Sequence, residues 1–254
     1  MASYLHAAAF AFCLISSISY THGYCNLPSK FWCSSAEIAL KCGVYEQCKR
    51  NEWSLQRDPE LVNITLYYES LCPDCKNFIT KMLYPSWQKV GSIMNLKLVP
   101  YGNAQEKQVG DHWEFNCQHG KEECVGNIIE TCAIVIVQKI SVYFPFINCM
   151  ESSAARPEDS AKVCAKRFPV PLDQILKCSN SSMGNSLEHQ MAVQTDALVP
   201  SHQYVPWVTL NGVHTEEIEK EAEADLVKLV CDTYKGTKPP ACSQDNKSQG
   251  RCMA

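Results

Sequence analysis

The stretch from Leu61 to Val90 changes its periodicity at a pair of cysteines. Val62, Ile64, Leu66 and Tyr68 alternate with Asn63, Thr65, Tyr67 and Glu69, the period-two pattern of a strand with one face buried. After Cys72-Pro73-Asp74-Cys75 the apolar positions become Phe78, Ile79, Met82, Leu83, Trp87 and Val90, the three- and four-residue steps of an amphipathic helix. Pro85 predicts a kink near Tyr84, because proline has no N–H and crowds the preceding turn. Ile93 to Val99 reads as a second strand, and Pro100-Tyr-Gly-Asn103 as its closing turn. Strand, helix, strand in that order predicts a βαβ unit with parallel strands. The two cysteines then fall where strand passes into helix.

That location gives the thiols a chemistry. Cys72 at the N-cap and Pro73 at the first helical position suit their residue types. A sulfur there faces the helix's free N–H groups and the positive end of its dipole, both of which favour a thiolate. Cys75, three residues on, can attack a mixed disulfide formed on Cys72, so Cys72 reads as nucleophile and Cys75 as resolving thiol. Asp74 opposes this by placing a carboxylate beside the sulfur. An inert disulfide or half of a zinc site are the alternatives. Zinc would want a second close pair, and Cys117, Cys124 and Cys132 are too widely spaced for the common ribbon. No metal site is predicted.

Sixteen cysteines in 254 residues would be mostly free thiols in a reducing cytosol, so the chain is expected in an oxidising compartment. Residues 1–23 agree. An apolar core, Ala7 to Ile15, leads into small and polar residues ending at Gly23, the layout of a secretory signal peptide, although no Lys or Arg precedes it. Asn63-Ile-Thr65, Asn180-Ser-Ser182 and Asn246-Lys-Ser248 are N-glycosylation sequons. The net charge of −4 gives no reason to expect nucleic acid or an anionic membrane as partner. Ile128 to Ile147 is the most apolar later run, but Glu130, Gln138 and Lys139 interrupt it, so no transmembrane span is predicted.

Residues 24–60 form a Cys-rich segment with a polar linker. Cys25, Cys33, Cys42 and Cys48 suit a small stapled unit, since so short a segment buries little apolar surface. The main domain is expected over 61–242, with a helical, Cys-rich insertion over about 110–195. Tyr204 to Gly212 reads as a strand closing on an Asn-Gly turn, with Val213 to Thr215 as hairpin partner, and Glu216 to Tyr234 as the last helix. Residues 243–254 form an irregular tail. Cys13 and the dithiol apart, thirteen cysteines remain, so one lacks a partner within the chain. Those at 117, 124, 132, 149, 164, 178 and 231 read as bridges whose pairing is not readable from sequence.

Cys117-Gln118-His119-Gly120, Glu123-Cys124, Asn127 and Cys132 match the C-Q-H-G-x2-E-C-x2-N-x4-C signature of the gamma-interferon-inducible lysosomal thiol reductase family at every fixed position. Pro100 to Gln105, Trp113-Glu-Phe115, Thr195 to Leu198 and Tyr204 to Thr209 also resemble that family. The Cys25–Cys48 block resembles the saposin A-type segment that some members carry. The resemblance implies an α/β, thioredoxin-like fold with a Cys-rich helical insertion. It further implies reduction of protein disulfides at acidic pH in endosomes and lysosomes, assisting proteolysis and antigen processing. Cys72 and Cys75 become the active pair by position. In thioredoxin-like folds a cis-proline faces the dithiol beside the extended substrate, and Val205-Pro206 fits that place. His119 either lies near the dithiol, favouring the thiolate when protonated, or is a hydrogen-bonded part of a stapled loop.

The expected partners are disulfide-containing proteins, with a sorting receptor reached through glycans. No cofactor is expected beyond a small recycling thiol such as cysteine or glutathione. The chain is expected as a monomer or disulfide-linked dimer, lumenal or secreted. Two other readings stay open: a secretory-pathway oxidase or isomerase, which a reduction potential would separate, and a secreted binding module with an inert Cys72–Cys75 bridge.

Overall fold

A computed structural model describes residues 25, 28–29, 32–51 and 59–243. The expected signal peptide, Cys13, Asn246, Cys252, most of the linker and nearly all of the tail lie outside them. The chain divides into two compact units, residues 1–58 and 59–254. In the first, α1 (Ala36–Lys41) starts where the Ser35 hydroxyl accepts the Ile38 N–H at 3.2 Å, and α2 (Tyr45–Asn51) follows. Cys25–Cys42 and Cys33–Cys48 disulfides close this unit, as its small core requires.

In the second unit, β1 (Val62–Tyr68) is central. It pairs in parallel with β2 (Met94–Pro100), with Ile64 opposite Leu96, and antiparallel with β5 (Trp207–Leu210), with Leu66 opposite Val208. Between β1 and β2 a helical run extends from Pro73 to Val90: α3 (Pro73–Asn77), a π-helical stretch (Phe78–Leu83) and α4 (Tyr84–Val90). The expected break at Pro85 takes the form of that π stretch. The Tyr84 N–H reaches back five residues to the Ile79 carbonyl, and the widened turn accommodates the proline ring. Ile64, Leu66, Ile79, Leu83, Val208, Leu226 and Val230 are fully buried in one core. Sheet order β2-β1-β5 with helices packed on it is the expected thioredoxin-like α/β arrangement.

Several boundaries differ from expectation. The insertion expected from residue 110 opens with a hairpin, β3 (Gln105–Val109) and β4 (His112–Asn116), turning at Gly110. Its strands are polar and only partly covered, so the alternation that signals β structure is weak. The helical part comprises α5 (Lys121–Val137), α6 (Ile140–Glu151), α7 (Pro157–Ala165), α8 (Leu172–Ser179) and α9 (Ser182–Asp196). The expected partner strand after Gly212 is reduced to one bridge, Leu210 to Val213, although Asn211 and Gly212 take the positive φ angles of an Asn-Gly turn. The last helix, α10 (Glu216–Thr233), bends at Asp225, whose carboxylate accepts the Lys228 N–H at 2.9 Å and starts the helix again.

The cysteines of this unit pair as Cys117–Cys124, Cys132–Cys178, Cys149–Cys164 and Cys231–Cys242. Among the described residues, only Cys72 and Cys75 are free. Of the thirteen cysteines other than Cys13 and the dithiol, twelve form the six disulfides, and Cys252 lies outside the described residues.

Candidate active site

Cys72 caps α3. Its backbone is extended, Pro73 occupies the first helical turn, and its sulfur accepts the Cys75 N–H at 3.3 Å. Cys72 keeps 6% of its surface exposed and Cys75 none, so only the first sulfur can meet a substrate. The Cys72 thiol is pulled down to about 6. The Cys75 thiol's hydrogen bond is the largest cause; it and the Cys75 and Asp74 N–H groups outweigh desolvation, with His119 adding a smaller attraction. Cys75 moves the other way, pushed far above the ordinary thiol range by burial and by the neighbouring Cys72. One thiol is acidic and reachable; the other is held protonated and hidden. Against the opposition expected from the Asp74 carboxylate, the net direction at Cys72 is down, with Asp74's own backbone N–H among the donors.

The signature segment packs directly beneath this junction. The Asn127 side chain accepts the Ser70 N–H at 2.9 Å, and the Ser70 hydroxyl donates to the Glu123 carbonyl at 3.0 Å. Gly126 lets α5 approach so closely: a Cβ there would lie 2.9 Å from Ser70 Cβ and 3.2 Å from Pro157 Cγ. Gln118 accepts a hydrogen bond from Asn103 at 2.7 Å, tying the loop to the turn after β2. Gly120, at φ +88°, lets the chain enter α5. Cys117–Cys124 staples the loop, and Cys132–Cys178 joins α5 to α8. The segment's polar positions fix the backbone two residues before the nucleophile.

His119 meets both descriptions left open for it. Its Nδ1 lies 2.6 Å from Glu123 Oε2 inside the loop and 3.3 Å from Glu69 Oε2. Desolvation lowers its pKa, but the Glu123 hydrogen bond and charge, then Glu69 and Cys72, outweigh it, and the net direction is up. Glu69 rises to about 7, first through desolvation and then through Glu123. Glu69, His119 and Glu123 offer three ligand atoms within 4.8 Å of one another. Glu69 and Glu123 were not singled out as site residues from sequence. Their signal was Glu123's fixed place in the signature and a carboxylate ending β1 three residues before Cys72.

Opposite the dithiol, the Val205–Pro206 bond is cis, and the Cys72 thiol points at the Val205 carbonyl 3.9 Å away. A cavity of about 310 Å³ borders Asp74, Phe78, Lys81, Met82, Pro206 and Glu223, a recess between the helical run after Cys72 and the cis-proline. A larger groove of about 980 Å³ runs along Val62, Asn63, Leu210, Ile218 and Leu229 and touches neither cysteine. The sequon residues Asn63 and Asn180 are exposed and remote from this geometry, on β1 and at the end of α8.

Gamma interferon inducible lysosomal thiol reductase is the family whose profile matches residues 63–168, and a saposin A-type domain matches residues 24–54. The "Gamma-interferon-inducible lysosomal thiol reductase" of Carassius auratus is 42% identical over 96% of this chain and 95% of its own. This chain belongs to the gamma-interferon-inducible lysosomal thiol reductase family. The protein of the same name in Mus musculus is 38% identical over 83% of each chain. A solved structure, Chlamydia trachomatis DsbA, overlays 66% of this chain and 88% of its own, at 13% identity and a TM-score of 0.48. Family membership accounts for the signature at 117–132, and the geometry above gives its physical content. No helix among the described residues is long and apolar enough to cross a membrane.

Proposed function

We propose that this protein reduces protein disulfides in an acidic lumenal compartment by thiol–disulfide exchange at Cys72 and Cys75. The observation that carries the reading is the split between the two thiols: Cys72 at the helix start, lowered to about 6, and Cys75 buried behind it. The Cys72 thiolate attacks one sulfur of a substrate disulfide, forming a mixed disulfide and releasing the other as a thiol that takes up a proton. Cys75 then loses its proton and attacks Cys72, freeing the second substrate thiol and leaving a Cys72–Cys75 disulfide. Two electrons pass to the substrate, and a small thiol such as cysteine or glutathione restores the dithiol. The Val205–Pro206 edge and the recess at Phe78 and Met82 are where an extended substrate segment lies.

Two arguments support the acidic setting. Glu130, Glu151, Glu188 and Glu219 are all buried, and burial raises the pKa of each; protonated carboxyls avoid the cost of burying charge. The second concerns direction. A low-pKa thiolate stabilises the reduced form and makes an oxidant. Between a pKa of 8.5 and one of 6 this amounts to about 1.4 kcal/mol, or 30 mV, at pH 7, and to roughly nothing at pH 5, where both thiols are protonated. Acid therefore removes the oxidising bias while leaving about a tenth of Cys72 ionised. Relatives are named lysosomal thiol reductases; on the proposed reading the protein unfolds endocytosed proteins for proteolysis and antigen processing, and glycans at Asn63 and Asn180 serve receptor-mediated sorting.

Insulin-disulfide reduction between pH 4 and pH 8 tests this. Wild type should reduce insulin at pH 5 and Cys72→Ser should not; equal activity in both would refute the assignment.

A further inference from the structure

We propose that Glu69, His119 and Glu123 form a binding site for one borderline divalent cation of the Zn2+ type, beside the dithiol and independent of its sulfurs. Both carboxylates turn one oxygen toward His119 Nδ1, at 2.6 Å from Glu123 and 3.3 Å from Glu69. Their other oxygens are already held by backbone: Glu69 Oε1 accepts the Asn103 N–H at 2.7 Å, and Glu123 Oε1 accepts the His119 N–H at 2.9 Å. Each carboxylate is thus anchored on one oxygen by backbone and presents the other to the imidazole, the outer-shell support that metal ligands receive. Glu69 Oε2 is buried and has no hydrogen-bond partner.

Packing holds Glu69 in this pose. Gly102, at φ +63°, lies so close that a Cβ there would stand 3.0 Å from Glu69 Cδ. The carboxylates are fully buried, and both ion pairs that reach them come from one imidazole. One imidazole nitrogen is therefore shared by two buried carboxylates, an arrangement in which a divalent cation on the neutral imidazole can take up both carboxylate oxygens at once. Tetrahedral bonds of about 2.0–2.2 Å put ligand atoms roughly 3.3 Å apart. The Glu69–His119 pair has that spacing, and Glu123 needs to withdraw by about 0.7 Å to reach it. One imidazole and two carboxylates suit Zn2+ rather than Ca2+ or Mg2+, which want six or more oxygens. The His119 side chain is 32% exposed, which gives the ion an entry path.

Binding would fasten the end of β1 to the signature loop and the first turn of α5. The test uses untagged full-length protein with disulfides intact and both thiols removed, Cys72→Ser/Cys75→Ser, so that the sulfurs cannot chelate. Calorimetric titration with Zn2+ at pH 7 should give one site per chain. His119→Ala or Glu69→Gln in that background should weaken it at least tenfold, and Mg2+ should not bind. His119 ring resonances in the otherwise unsubstituted Cys72→Ser/Cys75→Ser protein should shift on Zn2+ addition, a readout that stands if either further variant fails to fold. The absence of a stoichiometric site, unmoved His119 resonances, or unchanged affinity in folded His119→Ala would overturn the proposal. Zn2+ binding found only when Cys72 and Cys75 are present would overturn it too.

Discussion

Replacing Cys75 with alanine separates the two kinds of donor that act on Cys72. The Cys75 thiol is the largest single cause lowering Cys72 to about 6, while the Cys75 and Asp74 N–H groups contribute independently. Cys75→Ala removes the first and keeps the second. A hydrogen bond to a charged group is worth roughly 1.5–3 kcal/mol, or one to two pKa units, and a sulfur donor belongs at the low end. The Cys72 midpoint should therefore move from about 6 to about 7. At pH 5 the thiolate fraction then falls about tenfold, but each thiolate becomes roughly threefold more nucleophilic as its basicity rises. Iodoacetamide labelling of Cys72, followed by mass spectrometry from pH 4 to pH 10, should show the variant about threefold slower at pH 5 and about threefold faster on the alkaline plateau. Crossing profiles are the signature. A variant whose midpoint stays at that of wild type, or falls below it, would refute the idea that the second thiol helps to ionise the first.

Other outcomes follow from the packing. Gly126→Ala drives a methyl against Ser70 and Pro157 and should destabilise the fold by about 1–3 kcal/mol, read by urea unfolding. Removing the Cys132–Cys178 bridge, which closes 46 residues, should cost about 4 kcal/mol in the chain-entropy picture; a Cys132→Ala/Cys178→Ala protein as stable as wild type would contradict it. Glu219 lies against the Val208 N–H, and desolvation raises its carboxyl to about 7. Between the ordinary value of about 4.3 and that value the folded state holds the extra proton, so stability should fall as pH rises through the window, by up to about 3 kcal/mol. Glu219→Gln should flatten that slope in unfolding experiments at pH 5 and pH 7.5.

The legible parts of the sequence were those where local chemistry and tertiary fold agree. The period change at Cys72 located β1, α3 and the cap because alternating apolar residues, an N1 proline and a capping side chain all act within a few residues. Asn211-Gly212 announced its turn for the same reason. What stayed hidden depended on distant partners. The β3–β4 hairpin is held partly by the Asn185 side chain, which bonds both backbone groups of Trp113 across 72 residues. The Cys132–Cys178 and Cys149–Cys164 pairings follow from how α5 to α8 pack, which spacing does not encode. Glu69 looked like an ordinary strand-end acid, and only the folded chain brings it to His119. Nor could the sequence say that the Cys75 thiol would stand among the groups that ionise Cys72.

Trapping a covalent intermediate at pH 5 decides whether one held thiolate does the chemistry. Cys75→Ala, with no resolving thiol, should accumulate a substrate disulfide on Cys72, identified by peptide mapping. Capture at pH 8 but none at pH 5, or capture on any other cysteine, would contradict it.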